Sequence, residues 1–358
     1  MSAVARADLA ALADPALPRL PAALDPAAAA PILRERLRAW RPGAERWALR
    51  GARLLRYKPG RRCLIEYGFE TPDGAQVALL GKLRAKGADH RTFALMQALR
   101  AAGLTDAASD GVAVPEPVAL VPELGLWLQR RVAGVPATEL LRGPTGPWLA
   151  PRVAAALHRL HALDAAALGV ERVHTAADEL AALARWLPLA AARRPTRAAR
   201  IHRLLAACTA LGPRLAGALA AAIHRDFYPD QLLVGERRLY LLDLDLCCRG
   251  DPALDAGNFV AHLMELALRE TGDPDAYRGA ADAFLAAFLA RHPAARARCD
   301  AYVTLTLARH VYLSTELPGR AGVTGALLAL CEARLGLRPP PRRRRPAAGH
   351  ALPKGALP

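Results

Sequence analysis

One stretch of the chain, residues 223–259, constrains the possible folds more than any other. It alternates short apolar runs with single acidic residues. Two of the apolar runs, residues 232–234 and 239–242, flank a polar turn at residues 235–238. Apolar runs separated by so short a polar segment predict a β-hairpin.

Polar side chains collect at one end of this hairpin. In its register Gln231 lies opposite Leu242, so Asp243 emerges beside the loop that begins at Asp226. Phosphoryl transfer needs such a cluster: one carboxylate accepts the proton of the attacking hydroxyl, while a second carboxylate and an amide oxygen hold Mg²⁺. Oxygen ligands suit Mg²⁺ without any Cys or His.

Aspartates near turns often have a structural role instead. Asp251 and Asp255 stand where the next helix begins, and we interpret both as capping or turn residues. Asp226 and Asp243 each follow an apolar run, so they are expected to be partly buried. Burial of a carboxylate is costly without a partner cation, which favours a functional role for these two.

The rest of the chain predicts two lobes. Strand patterns occupy residues 53–57, 63–69, 76–83, 112–120 and 124–129, with one helix at residues 89–102. Beyond Gly134 the apolar spacing is mostly helical. The fold class is therefore α+β, with a small antiparallel β-sheet N-lobe and a larger, mainly helical C-lobe.

The same patterns suggest four segments. We expect an N-terminal helical extension at residues 1–45, an N-lobe that binds nucleotide at 46–128, and a catalytic and substrate-binding C-lobe at 129–337. Residues 338–358 form a basic tail rich in Pro and Arg, which we expect to be disordered.

Composition argues against several classes of protein. The formal net charge is +16, but arginine is scattered among Ala-rich helices without interleaved aromatic residues, which argues against nucleic-acid binding. No apolar run is long enough for a membrane helix, and charged residues near the N-terminus interrupt any signal-peptide core. We expect a cytoplasmic protein, with no sequence signal for its oligomeric state.

The acidic segment also resembles a known family. His224-x-Asp226-x₄-Gln231, then Leu242-Asp243-Leu244-Asp245 and Gly250-Asp251-Pro252-x-x-Asp255, is similar to the motifs of the aminoglycoside phosphotransferase and choline kinase group. This group belongs to the protein-kinase-like superfamily and shows H-G-D-x-x-x-x-N, I-D-F-D and G-D-P-x-x-D-L-A. The combination is much more specific than any one motif. The His158 and His161 helix also resembles the family's L-A-x-L-H helix, where we expect packing roles for both histidines.

The resemblance implies a role for each matching residue. Asp226 would be the catalytic base and His224 would support its loop. Asp243 would be the main Mg²⁺ ligand, and Gln231 would take the place of the family's metal-binding Asn. Lys82, at the end of the third strand, would contact the phosphates of the nucleotide.

The resemblance also suggests where the nucleotide binds. Residues 129–132 match the hinge, whose backbone would bind adenine, so Gln129 and Arg131 are candidate nucleotide contacts. The glycine-rich loop of the family is poor here, and Arg61 and Arg62 could hold phosphate in its place.

Besides the poor glycine-rich loop, three further departures from the family matter for activity. Gln231 replaces Asn and adds one methylene. Arg225 replaces the usual Gly. The helix after Lys82 has no Glu, so the usual Lys–Glu ion pair is absent or is supplied by Asp89.

These observations predict a phosphotransferase that moves the γ-phosphate of ATP or GTP to a hydroxyl group. The acceptor would be a small molecule such as an aminoglycoside, an amino alcohol or a sugar. The alternative is a catalytically degenerate kinase-like protein that acts by binding nucleotide or a partner.

Overall fold

The computed structural model describes residues 14–216 and 220–337. The predicted basic tail, residues 338–358, and the first thirteen residues of the predicted extension lie outside this part of the chain. Within it, no helix combines the length and the apolar character needed to cross a bilayer.

The strands of the described residues are short except in the N-terminal sheet. In chain order they are β1 (Ala48–Lys58), β2 (Arg62–Glu70), β3 (Gln76–Arg84), β4 (Val112–Ala113), β5 (Pro117–Val121), β6 (Leu126–Arg130), β7 (Val135–Pro136), β8 (Ala221–Ile223), β9 (Leu232–Val234), β10 (Leu239–Leu241) and β11 (Cys248–Gly250).

The helices are concentrated after the N-terminal sheet. In chain order they are α1 (Leu20–Leu24), α2 (Pro26–Trp40), α3 (His90–Ala101), α4 (Ala137–Leu141), α5 (Gly146–His161), α6 (Ala176–Arg193), α7 (Ala198–Thr209), α8 (Pro252–Thr271), α9 (Arg278–Leu289), α10 (Arg296–Glu316) and α11 (Thr324–Arg334).

The N-lobe is a five-stranded antiparallel sheet in the order β1-β2-β3-β6-β5. Strands β2 and β3 alternate buried and partly exposed residues, as expected for a sheet with one covered face. Helices α1 and α2 cover that face, and the Tyr67 hydroxyl donates a hydrogen bond to the carbonyl of Ala23 at 2.8 Å. The described part of the predicted extension is therefore packed against the N-lobe core.

The C-lobe is built from helices around a second apolar core. Helix α10 crosses this core beside α8 and is not predicted from the sequence. Its buried face includes Thr304, Thr306 and His310, so its apolar residues do not form a simple stripe. The predicted fold class, with a small antiparallel sheet followed by a larger helical lobe, is confirmed.

Candidate active site

The predicted hairpin is present between the helices of the C-lobe. Strands β9 and β10 pair antiparallel, with Val234 opposite Leu239. The ladder continues to Leu242, whose amide donates to the carbonyl of Gln231 at 2.8 Å. This register, which the sequence predicts, places Asp243 immediately beyond the paired end of the hairpin.

Lys82 comes from strand β3 of the N-lobe to meet this end of the hairpin. Its Nζ lies 3.5 Å from Asp243 Oδ1 and 3.8 Å from Asp245 Oδ1. It also lies 5.3 Å from the centroid of the Trp127 ring, in the range of a cation–π contact. The structure thus brings a predicted phosphate contact together with a predicted metal ligand from the other lobe.

Asp245 occupies the position of a counter-ion for Lys82. Its side chain is only 7% exposed and also pairs with Arg84 and, at 3.3 Å, with Arg62. Asp89, the substitute suggested by the sequence, instead caps helix α3 by accepting from the Thr92 amide and pairs with Arg84. From the sequence we assign no role to Asp245, although its position two residues after Asp243 is the signal that could have identified it.

The two carboxyl groups have opposite pKa shifts. Burial raises the pKa of Asp243, but the charges of Lys82 and Arg62 and a hydrogen bond with Asp245 outweigh burial, so the net shift is downward. For Asp245 burial is the largest influence and its pKa is raised, against the opposing charge of Lys82. Asp243 is therefore the more readily ionised of the pair, as a metal ligand must be.

Asp255 holds the loop that carries the predicted base. Its carboxylate is fully buried and accepts hydrogen bonds from the backbone amides of His224 at 2.7 Å and Arg225 at 2.6 Å. The His161 Nε2 atom lies 2.9 Å from the same carboxylate. The interpretation of Asp255 as a capping residue is wrong, because these contacts lie in the loop at His224 and Arg225 and in another helix. Asp251 does cap helix α8, accepting from the Ala253 amide at 3.0 Å.

His224 and Arg225 connect this loop to the hairpin and to helix α8. His224 Nε2 lies 2.8 Å from the carbonyl of Leu242, directly before Asp243. Arg225 has a φ of 70°, a conformation that costs a residue with a side chain roughly 1–2 kcal/mol. The glycine that the family usually has at this position adopts such a backbone conformation without this cost. In this protein Asn258 Nδ2 donates to the carbonyl of Arg225 at 2.7 Å, which helps to hold the backbone in place. Asp226 follows with a partly exposed side chain.

The candidate nucleotide contacts differ in their surroundings. Gln129 is buried in strand β6, opposite Leu80 of β3. Arg131 donates its amide to the carbonyl of Ala78, and its side chain lies 2.7 Å from Glu66. Its guanidinium is therefore already paired within the N-lobe sheet.

The two candidate arginines lie where β1 turns into β2: Arg61 is in the turn, and Arg62 is the first residue of β2. Arg62 points toward Asp245, as described above. Arg61 is exposed, and its backbone closes the turn by donating to the carbonyl of Lys58 and accepting from the Ala85 amide. Only Arg62 of this pair contacts the acidic cluster among the described contacts.

The residues at the end of the hairpin fit a hard cation. Asp243 is ionised and has a φ of 53°, which directs the chain into the turn at Leu244–Leu246. Gln231 is buried beside it, and Asp245 Oδ1 is a buried oxygen without a hydrogen-bond partner. Carboxylate and amide oxygens are the ligands that Mg²⁺ takes in proteins.

The model of the phosphotransferase enzyme family matches residues 81–302 of this chain. No curated protein matches the sequence of this chain. The match begins beside Lys82 and includes the hairpin, the Asp226 loop and helix α8.

Several solved structures share the fold at low sequence identity. A choline kinase from Cryptosporidium parvum Iowa II is 11% identical, with a TM-score of 0.59 over 87% of this chain and 95% of the other. A choline/ethanolamine kinase family protein from Mesorhizobium loti is 17% identical, with a TM-score of 0.53 over 85% and 93% of the two chains. A thermostable aminoglycoside phosphotransferase mutant, in a ternary complex with ADP and hygromycin B, is 18% identical, with a TM-score of 0.56 over 81% and 95%. The chain belongs to the phosphotransferase enzyme family and is a small-molecule kinase with the two-lobed, kinase-like fold.

Proposed function

We propose that this protein transfers the γ-phosphoryl group of ATP or GTP to a hydroxyl group of a small molecule. The observation that supports this most directly is the position of Lys82. Its ammonium group lies 3.5 Å from Asp243, although the two residues come from different lobes. A cation and an ionised carboxylate held together in this way can bind the phosphates and a metal ion at one point.

Asp226 is the proposed catalytic base. The acceptor oxygen forms a bond to the γ-phosphorus as the bond to the β–γ bridging oxygen breaks, and Asp226 accepts the proton of the acceptor hydroxyl. Asp255 and His224 would act as positioning residues, because they hold the backbone on which Asp226 is carried. A base must lie within hydrogen-bond reach of its proton, so this backbone restraint matters for the rate.

Asp243 and Gln231 would hold Mg²⁺, with Oδ1 of Asp245, a buried oxygen that makes no hydrogen bond, close by. When bound, the ion neutralises charge on the transferred phosphoryl group. Gln231 keeps the amide oxygen of the family's Asn but adds one methylene. We therefore expect the metal ion to sit differently or to be held more weakly.

Lys82 would contact the phosphates, with Asp245 as its orienting counter-ion. Arg61 and Arg62 would supply further positive charge from the β1–β2 turn. The backbone of residues 129–132 would bind the adenine or guanine base, with Gln129 and Arg131 contributing through main-chain groups. The missing helix Glu and the Gln231 replacement are the two reasons to consider a degenerate, binding-only protein. The counter-ion for Lys82 removes the first of them, which makes the active kinase the better supported proposal.

The acceptor is proposed only as a hydroxylated small molecule. Acidic residues in the helical lobe are candidate contacts for a cationic acceptor, but most of them already form ion pairs with arginines of the same chain. The pairs are Glu265 with Arg269 and Arg320, Glu270 with Arg142, Asp275 with Arg278, and Glu316 with Arg193. Structural neighbours include complexes with hygromycin B and with spectinomycin, which supports a panel of such compounds as test acceptors.

The organisation of the chain is part of the same proposal. Residues 46–128 would form the nucleotide-binding lobe and residues 129–337 the catalytic and acceptor-binding lobe. Lys82 then belongs to the first lobe and Asp226 to the second, so the reaction takes place in the cleft between them. We also propose that the protein acts in the cytoplasm, where ATP and GTP are available.

Calorimetric titration with ATP and GTP, with and without Mg²⁺, tests the proposal together with a turnover screen. We expect Mg²⁺-dependent binding that is lost in Asp243→Ala. We expect Asp226→Asn to bind nucleotide normally but to transfer no phosphoryl group to aminoglycosides, amino alcohols or sugars. Full turnover in Asp226→Asn would disprove the assignment of the base, and absence of binding to both nucleotides would favour the degenerate alternative.

A further inference from the structure

Three histidines converge on one point of the C-lobe, behind the catalytic loop. His158 and His161 lie one helical turn apart on α5, and His292 follows the end of α9. One potential ligand nitrogen from each lies within 4.8 Å of the others. His158 and His161 are buried, whereas His292 is partly exposed. The predicted mechanism uses none of these three rings as a reacting group.

The orientation of His161 distinguishes this cluster from ordinary aromatic packing. Its Nε2 is 2.9 Å from Asp255, while its Nδ1 is buried without a hydrogen-bond partner. The side chain is only 3% exposed. A buried polar atom without a partner is uncommon and calls for an explanation. A histidine that binds a metal through one nitrogen usually donates its other N–H to a carboxylate, which is the contact that Nε2 makes here.

The other two rings are suited to the same role. Burial lowers the pKa of His158 to about 4, and it also lowers the pKa of His292. Burial therefore favours the neutral form of both rings, which is the form that binds a metal ion. The charges of Arg298 and Arg291 also lower the pKa of His292. The charge of Arg298 is balanced in part by Asp251, with which it pairs at 3.0 Å.

We propose that His158, His161 and His292 form a binding site for a transition-metal ion of the Zn²⁺ class. Imidazole nitrogens favour Zn²⁺, Ni²⁺ and Cu²⁺ over Mg²⁺, so this site would differ chemically from the acidic cluster near Lys82. Three histidines leave the fourth position of a tetrahedral ion for water or another ligand. The partly exposed His292 gives that position a route to solvent.

The site must contract slightly to bind the ion. Zn–N distances of about 2.0–2.1 Å place the nitrogens around a tetrahedral ion roughly 3.3 Å apart. The three histidine nitrogens here lie within 4.8 Å of one another, so they must move closer together. His292 lies beyond the end of α9 and is the least buried of the three, so its side chain can move toward the others. His158 is held by stacking on Phe288, with ring centroids 5.3 Å apart.

The position of the site connects it to the catalytic loop. Asp255, the partner of His161 Nε2, also accepts from the amides of His224 and Arg225. A metal on Nδ1 of His161 would fix the proton on Nε2 and strengthen this bond to Asp255. The bound ion would therefore restrain the backbone that precedes Asp226.

The test is titration of the purified full chain with Zn²⁺ alone, monitored by calorimetry and by competition with a chromophoric chelator. Each protein carries Asp243→Ala as a background so that the acidic cluster contributes no binding. We compare His292→Ala and His158→Ala with His202→Ala, a matched control that removes an exposed histidine on α7. His292→Ala is the main variant because it changes the least buried ring, and circular dichroism checks that each variant is folded.

We expect one Zn²⁺ per chain, with affinity at least about 10-fold weaker in His292→Ala and in His158→Ala and unchanged in His202→Ala. Co²⁺ in place of Zn²⁺ should show visible absorption typical of tetrahedral coordination, and the band should disappear in His292→Ala. Absence of stoichiometric binding, or equal affinity in His292→Ala and His202→Ala, would overturn the proposal. Neither result depends on turnover, so the outcome is separate from that of the proposed kinase activity.

Discussion

Replacement of Asp245 by Asn tests whether this residue is the counter-ion of Lys82. The substitution keeps the size of the side chain and removes its charge. The nearest oxygen of Asp245 lies 3.8 Å from Lys82 Nζ, which corresponds to an attraction of about 4 kcal/mol at an effective dielectric constant near 20. Much of this is offset by desolvation, so we expect a net loss of about 1.5–3 kcal/mol, between the roughly 0–1 kcal/mol of an exposed ion pair and the roughly 3–5 kcal/mol lost when a buried pair is broken.

That loss should appear in turnover rather than in binding of the free nucleotide. Each 1.36 kcal/mol is tenfold in rate, so Asp245→Asn should slow phosphoryl transfer about 10- to 150-fold. Nucleotide should still bind in the presence of Mg²⁺, because Asp243 and Gln231, the proposed metal ligands, are unchanged. Phosphate release from ATP or GTP with water as the acceptor measures the first effect, and calorimetry measures the second.

Asp89→Asn is the matched control. Asp89 also pairs with Arg84, but its oxygens cap helix α3 and it has no recorded contact with Lys82. We expect a modest loss of stability and near-normal turnover in this variant. The reasoning would be refuted if Asp245→Asn turned over as fast as the unsubstituted protein, or if Asp89→Asn lost as much turnover as Asp245→Asn.

Three further substitutions test the packing behind the site. Asp255→Asn should lower the free energy of unfolding by about 3 kcal/mol or more and strongly reduce turnover, because a buried acceptor of two backbone amides becomes in part a donor. Urea unfolding measures the first effect and phosphate release the second. A free energy of unfolding equal to that of the unsubstituted protein would contradict this prediction. Gly257→Ala should cost about 1–3 kcal/mol in denaturant unfolding, because the added Cβ would lie 2.5 Å from Tyr302 Cβ, whereas Gly322→Ala meets no atom within 4 Å and should be nearly neutral. Since burial lowers the pKa of His158 to about 4 from an ordinary 6.5, the unfolded chain binds more protons between these values. Stability should therefore fall by up to about 1.4 kcal/mol per pH unit as the pH drops through that window, with metal ions chelated, and His158→Phe should reduce this slope; an unchanged slope would show that His158 is not the group responsible.

Structural features that depend only on residues close together in the sequence can be predicted from the sequence directly. The hairpin register follows from the lengths of two apolar runs and the turn between them, and it places Gln231 beside Asp243. The order of the lobes follows from a change of apolar period from two residues to about 3.6. Helix α10 escapes this reasoning, because a helix buried on most sides has no single apolar stripe.

The partners of the buried charges are decided only by the tertiary structure. The sequence shows that the helix after Lys82 lacks a Glu, but the packing of the lobes determines that Asp245 lies beside the ammonium group while Asp89 caps a helix. It shows a histidine pair on α5, but the end of α9 brings His292 to it. Such contacts join segments far apart in the chain, and their geometry depends on how whole helices and sheets pack, which no local spacing records.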